Sequence, residues 1–128
     1  MMRNGGQLLV DSLLALGGSV MQAGAQPIVL VLNNGIYGTI RAHQEHHYPT
    51  RVVGTTMEQD PDFVTLAQAY GFHAERVEQT DDFPAAFERA LASTSGALLE
   101  LTISLEALTP RQTLSQMRQA SLDAKDFV

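Results

Sequence analysis

The 128-residue sequence has no cysteine, which excludes disulfides, thiolate metal sites and cysteine nucleophiles. Cations are few: 8 Lys and Arg against 14 Asp and Glu give a formal charge of −6. Phosphate attraction needs clustered cations, so this balance argues against a general nucleic-acid or acidic-membrane surface. A small local basic site stays compatible with it. Long apolar runs are also missing. The longest, Ile28 to Leu32, falls far short of the roughly 20 residues that span a bilayer. Arg3 is followed by Asn4, Gly5, Gly6 and Gln7, and Asp11 interrupts the next apolar stretch, which does not match a secretory signal. The expectation is a cytoplasmic protein with neither nucleic acid nor membrane among its partners.

What is present suits a folded domain. Hydrophobic residues make up 45% and charged residues 17%, a composition unlike that of disordered chains. One domain is expected at this length, burying roughly 65–70% of the unfolded surface.

Leu9, Leu13 and Leu16 recur at helical spacing within Gly6 to Leu16, and Gly17-Gly18 interrupts the pattern. Val20 to Ala25 can form a second helical piece. Pro27 opens the strongest strand signal, Ile28-Val29-Leu30-Val31-Leu32, whose lack of alternation predicts burial on both faces of a parallel sheet. Asn33-Asn34-Gly35 ends it with turn chemistry. Ile36 to Ile40 can begin a helix, and His43 to Pro49 reads as an irregular continuation.

Further on, Asp60 is the expected cap of a helix with Pro61 first, Asp62 in the first turn and a face of Phe63, Leu66, Ala67 and Tyr70. Gly71 suits its end, and Phe72 to Val77 suggests a strand. Thr80 or Asp81 can cap a helix with the face Phe83, Phe87, Ala90 and Leu91, followed by a strand from Ala97 to Ile103. Thr109, Pro110 and Arg111 can start a last helix whose sparse stripe of Leu114, Met117 and Leu122 suits an edge or a partner. This alternation predicts an α/β domain, a three-layer α/β/α arrangement around a mainly parallel sheet.

Chemistry concentrates where the apolar strand ends. In an open α/β sheet, ligands bind beyond the carboxyl ends of the strands. There Asn34 can offer a side-chain oxygen and Ile36 a backbone carbonyl to a hard cation such as Mg²⁺. A following helix N-terminus favours phosphate. Asn-Asn-Gly is equally ordinary turn material.

Asn33-Asn34-Gly35-Ile36-Tyr37-Gly38-Thr39-Ile40-Arg41 closely resembles the cofactor-binding segment of thiamine-diphosphate enzymes of the acetolactate synthase, benzoylformate decarboxylase and pyruvate decarboxylase group. His43-Gln44-Glu45, Tyr48 to Val52, Gly54-Thr55, Asp60 to Phe63, Leu66-Ala67 and Ala69 to Gly71 continue the likeness, from about Gln22 to Arg118. The resemblance implies a partial thiamine-diphosphate-binding domain. Asn34 and Ile36 become cation ligands, Asn33 shapes the turn, and Asn33, Asn34, Gly35, Ile36 and Tyr37 lie along the cofactor.

The family's motif opens with Gly-Asp-Gly, which occurs nowhere in this sequence, where Gly5-Gly6-Gln7-Leu8 stands in the upstream region. Asp11 as a substitute ligand is the lesser reading. Residues 1–18 resemble the start of the family's pyrimidine-binding domain and residues 19–128 the C-terminal part of its diphosphate-binding domain. The expectation is a family enzyme with a large internal deletion. It lacks the middle domain and the glutamate that activates the aminopyrimidine, and no residue here is assigned a catalytic role. Cofactor contact would then involve the diphosphate end through Mg²⁺, while electron-sink chemistry belongs to the cofactor. The competing expectation is a non-catalytic interaction module. Formerly buried apolar residues such as Leu8, Leu9, Leu13, Leu114 and Met117 would drive homo-oligomerisation or association with a chain supplying the missing domains.

His43 and His47 have the spacing of metal ligands on a helix, yet with no convincing third ligand a polar loop is preferred. Asp60 and Asp62 are read as caps rather than an acid–base pair, and Arg89 as a solvated helix residue. Arg41 and Arg51 are left between an acidic ligand and acidic neighbours.

Overall fold

A computed structural model describes residues 24–109 and 111–125, so the expectations for Gly6 to Leu16, Asp11 and Val20 to Ala23 lie outside the described residues. The chain forms two compact units. One comprises residues 24–33 with 61–102, the other 34–60 with 103–109 and 111–125.

The first unit is the expected three-layer α/β/α arrangement. Strands β1 (Ile28–Asn33), β2 (His73–Val77) and β3 (Ala97–Thr102) form a parallel sheet in the order β1-β3-β2. Two helices in this unit flank the sheet and are labelled below by their order in the whole chain. Helix α2 (Phe63–Ala69) packs Phe63 and Ala67 on Val31 and Leu98. Helix α3 (Phe83–Ala92) packs Ala86 and Ala90 on Ala97, Leu99 and Val77. Neighbouring residues of a strand point to opposite faces, so Leu98 and Leu99 belong to different helix layers. Each is almost wholly buried, a contribution of about 1.5–3 kcal/mol per side chain.

Burial of β1 on both faces does not hold. Val31 is buried, but Leu30 and Leu32 are 42% and 64% exposed. They lie in register beside Leu99 and Leu101, on the face that α3 covers over β2 and β3. Leu91, expected on the core face of α3, is likewise exposed because Ala86 takes the buried place.

Capping shifts two helix starts. Asp62, not Asp60, caps α2, accepting from the Thr65 amide at 3.0 Å and the Thr65 hydroxyl at 2.8 Å. These bonds hold the Asp62 carboxyl below its ordinary pKa. A 3₁₀ turn, Thr80–Asp82, precedes α3 where a direct cap is expected.

The second unit contains α1 (Gly38–His47) and α4 (Leu114–Lys125). The His43 to His47 stretch is therefore helical rather than irregular, with the rings of His43 and His47 stacked at 6.1 Å. Helix α4 starts later than Thr109-Pro110-Arg111 suggests because Thr113 and Gln116 form a reciprocal capping box, 2.9 and 3.1 Å. Leu114, expected to be available to a partner, is buried, and Met117 is half-buried. No helix among the described residues is long and apolar enough to cross a membrane.

Candidate functional site

Asn33 belongs to the first unit and Asn34 to Tyr37 to the second, and each part is held by hydrogen bonds within its own unit. In the first unit, Asn33 closes β1 and its Nδ2 donates to Glu100 Oε1 at 2.8 Å. Glu100 is 2% exposed in the middle of β3, and its Oε2 accepts from Arg76 Nε at 3.0 Å. That carboxylate raises the Arg76 pKa. Asn33 thus has its amide nitrogen committed to the sheet.

In the second unit, Asn34 Oδ1 accepts the Ile36 amide at 3.3 Å, closing an Asx turn. Gly35 occupies the turn with φ 67°, a conformation that L side chains resist. The Gly35 carbonyl accepts from the Met57 amide and the Tyr37 amide donates to the Thr55 carbonyl, both at 2.9 Å, around an antiparallel bridge between Ile36 and Thr56. The Ile36 carbonyl accepts from the Gly38 amide at 3.0 Å, at the start of α1. A Cβ at Gly38 would come within 2.6 Å of the end of the Leu108 side chain, which would have to shift to make room.

Two oxygens, Asn34 Oδ1 and Ile36 O, therefore lie two residues apart at the head of a ten-residue helix. Each has a second lone-pair position beyond the bond described. Both are neutral. Among the described residues no group of three or more His, Asp or Glu is placed to hold a metal ion. Mg²⁺ is bound mainly through carboxylates and phosphates. The donor set consequently fits one side of a cation whose charge is met by a diphosphate, and does not fit a free-standing metal site.

A polar cluster backs this turn. Glu45 is wholly buried and receives Arg41 Nε at 2.9 Å and Arg118 Nε at 2.7 Å, with Arg118 Nη2 also bonded to it. The Arg118 hydrogen bonds are the largest cause holding its carboxyl below the usual range, and burial opposes them. Arg41 Nη1 also donates to the Thr55 hydroxyl at 3.3 Å. Arg41 is thus paired with an acidic neighbour inside its own unit. Elsewhere Arg89, exposed as expected, clamps Glu75 through two bonds of 2.7 and 2.6 Å.

Glu45 and Glu100 are the residues that pattern reading passes over. Signals existed for both: Arg41 and Glu45 have the four-residue spacing of a helical ion pair, and Glu100 stands inside an apolar strand where a charge demands partners.

Residues 13–101 match the family described as the thiamine pyrophosphate enzyme, C-terminal TPP binding domain. The large subunit of acetolactate synthase isozyme 2 from Escherichia coli is 32% identical over 64% of this chain and 15% of its own length. Acetolactate synthase from Arthrospira platensis is 31% identical over 68% of this chain and 15% of its own. The mitochondrial acetolactate synthase catalytic subunit of Saccharomyces cerevisiae is 31% identical over 66% and 12%. The chain thus spans only 12–15% of these curated relatives. With the match covering most of the sequence, the chain belongs to the thiamine pyrophosphate enzyme C-terminal TPP-binding domain family.

Proposed function

We propose that this chain is a remnant thiamine-diphosphate and Mg²⁺-binding domain, related to enzymes that decarboxylate or condense 2-oxo acids and inactive by itself. The Asx turn carries the reading, with Asn34 Oδ1 and Ile36 O ahead of the α1 N-terminus. Asn34 and Ile36 would hold the cation, while Asn33, Gly35 and Tyr37 set the backbone against the diphosphate. Bound cofactor would supply the electron sink of 2-oxo-acid chemistry. This chain's own part is to bind and orient the diphosphate end. With a neutral donor set and no Gly-Asp-Gly, affinity depends on charge brought by the diphosphate. A cytoplasmic setting belongs to the same reading.

Isothermal calorimetry with Mg²⁺ and thiamine diphosphate tests it. Saturable binding that weakens in Asn34→Ala is the expected result. Absence of heat at high cofactor concentration, with the protein folded, overturns it.

Leu30 and Leu32 favour a second reading, an association module for another copy or for a chain supplying further domains. Light scattering should then give a mass above the monomer that falls in Leu32→Glu. A wild-type monomer at all concentrations removes this reading.

A further inference from the structure

The polar face of α1 does more than pair charges. Gln44 reaches from this helix to the backbone of a strap, residues 53–57, that bends at Gly54. Its Nε2 donates to the Val53 carbonyl at 2.9 Å, and its Oε1 accepts from the Val53 amide at 3.3 Å and the Thr55 hydroxyl at 3.2 Å. The amide orientation follows from these partners, since Val53 offers one donor and one acceptor. Val53 is itself 75% exposed, so side-chain burial does little to hold this end of the strap. Two residues on, the Thr55 carbonyl accepts the Tyr37 amide and Met57 donates to Gly35. The same strap therefore supplies the Gly35–Tyr37 turn with two backbone hydrogen bonds.

We propose that Gln44 is a positioning residue for the Asn34–Ile36 turn, acting through the strap of residues 53–57. The ligand half of this proposal rests on the cofactor reading above; the positioning half does not. Gln44 substitutes for a missing strand: its side-chain amide satisfies the Val53 peptide much as a neighbouring backbone would. Fixing Val53 and Thr55 in this way fixes the carbonyl to which Tyr37 is tied. The two oxygens of Asn34 and Ile36 are thereby held in one arrangement before any ligand arrives, which lowers the ordering cost of binding.

The test compares the full chain with Gln44→Ala, Gln44→Glu and Ser115→Ala. Ser115 bonds Glu106 through its amide and hydroxyl at 2.8 and 2.9 Å, so its replacement loosens the same unit away from the turn. Amide hydrogen exchange at Tyr37 and Met57 is read first, and the dissociation constant for thiamine diphosphate with Mg²⁺ second. Each neutral hydrogen bond corresponds to about fivefold, so Gln44→Ala should speed both amides and weaken binding by roughly tenfold or more. Gln44→Glu retains the oxygen that accepts from Val53 and Thr55, loses the Nε2 donor to the Val53 carbonyl and should lie between. Ser115→Ala should leave both readouts at the wild-type value even where it lowers the melting temperature. Wild-type exchange rates at Tyr37 and Met57 in both Gln44 variants overturn the proposal, as does equal loss in Ser115→Ala. Absence of binding in the wild type removes the cofactor reading and with it the ligand half, while the exchange data still decide the positioning half.

Discussion

Removing the Arg118 guanidinium should destabilise the second unit far more than its position on the last helix suggests. Glu45 has no solvent exposure, whereas the Arg118 side chain is 40% exposed and Arg41 14%. The buried carboxylate is therefore the group that loses most when a partner is deleted. Hydrogen bonds to charged groups are each worth about 1.5–3 kcal/mol, and breaking one partner of a buried pair costs about 3–5 kcal/mol. Arg41 still holds Glu45 in Arg118→Ala, which places the expected loss at about 2–4 kcal/mol. Arg118→Lys keeps a charge but cannot reproduce the two-nitrogen fork, so roughly half that loss is expected.

Urea denaturation, with exchange of the α1 and α4 amides to localise the effect, measures this. The acid limb supplies a second check. The folded pKa of Glu45 lies below its unfolded value, chiefly because of Arg118, so its stabilisation is present above the unfolded carboxylate pKa of about 4.3. It is lost as pH falls through the lower folded value. Arg118→Ala should therefore flatten the pH dependence between neutrality and that acidic range. A loss below about 0.5 kcal/mol would refute the reasoning, because only an exposed surface pair is worth so little.

Three further outcomes follow from single contacts. Asn33→Asp sets two carboxylates against each other at Glu100 and should cost about 2 kcal/mol; adding Glu100→Gln reverses the donor and acceptor and should recover part of it in a double-mutant cycle. Gly35→Ala meets no atom of the described residues within 4 Å, so its expected cost of about 1–2 kcal/mol comes from the positive φ, and urea unfolding should show it. The Ser121 hydroxyl is buried without a hydrogen-bond partner among the described residues, so Ser121→Ala should be neutral or raise the melting temperature slightly, corresponding to at most about 1 kcal/mol.

Residue pattern alone makes the layered core legible. The face Phe63, Leu66, Ala67 and Tyr70 packs as helical spacing predicts, and Gly71 ends that helix with φ 77°. The apolar run at Ile28 to Leu32 announces a strand but not how far a helix extends over it, which is why Leu30 and Leu32 miss burial. Two aspartates flank Pro61, and only the hydroxyl and amide of Thr65 decide that Asp62 is the cap. Helical propensity around His43 to His47 is weak, and this stretch is tied down by the Glu45 ion pair to Arg118, 73 residues away, and by the Gln44 bonds to Val53, nine residues on. The Asn34 and Ile36 oxygens follow from local turn chemistry, so they are readable. For Glu45 and Glu100 the sequence carries only a partial signal, the Arg41–Glu45 spacing and a charge inside an apolar strand, because their partners Arg118, Asn33 and Arg76 lie 73, 67 and 24 residues away.

Nuclear magnetic resonance with Mn²⁺ in place of Mg²⁺ tests the cofactor reading most directly. Paramagnetic broadening should centre on the Asn34 side-chain amide and the Ile36 and Tyr37 backbone amides, and should require thiamine diphosphate. Broadening centred on His43, His46 and His47, or the same pattern with Mn²⁺ alone, would contradict it.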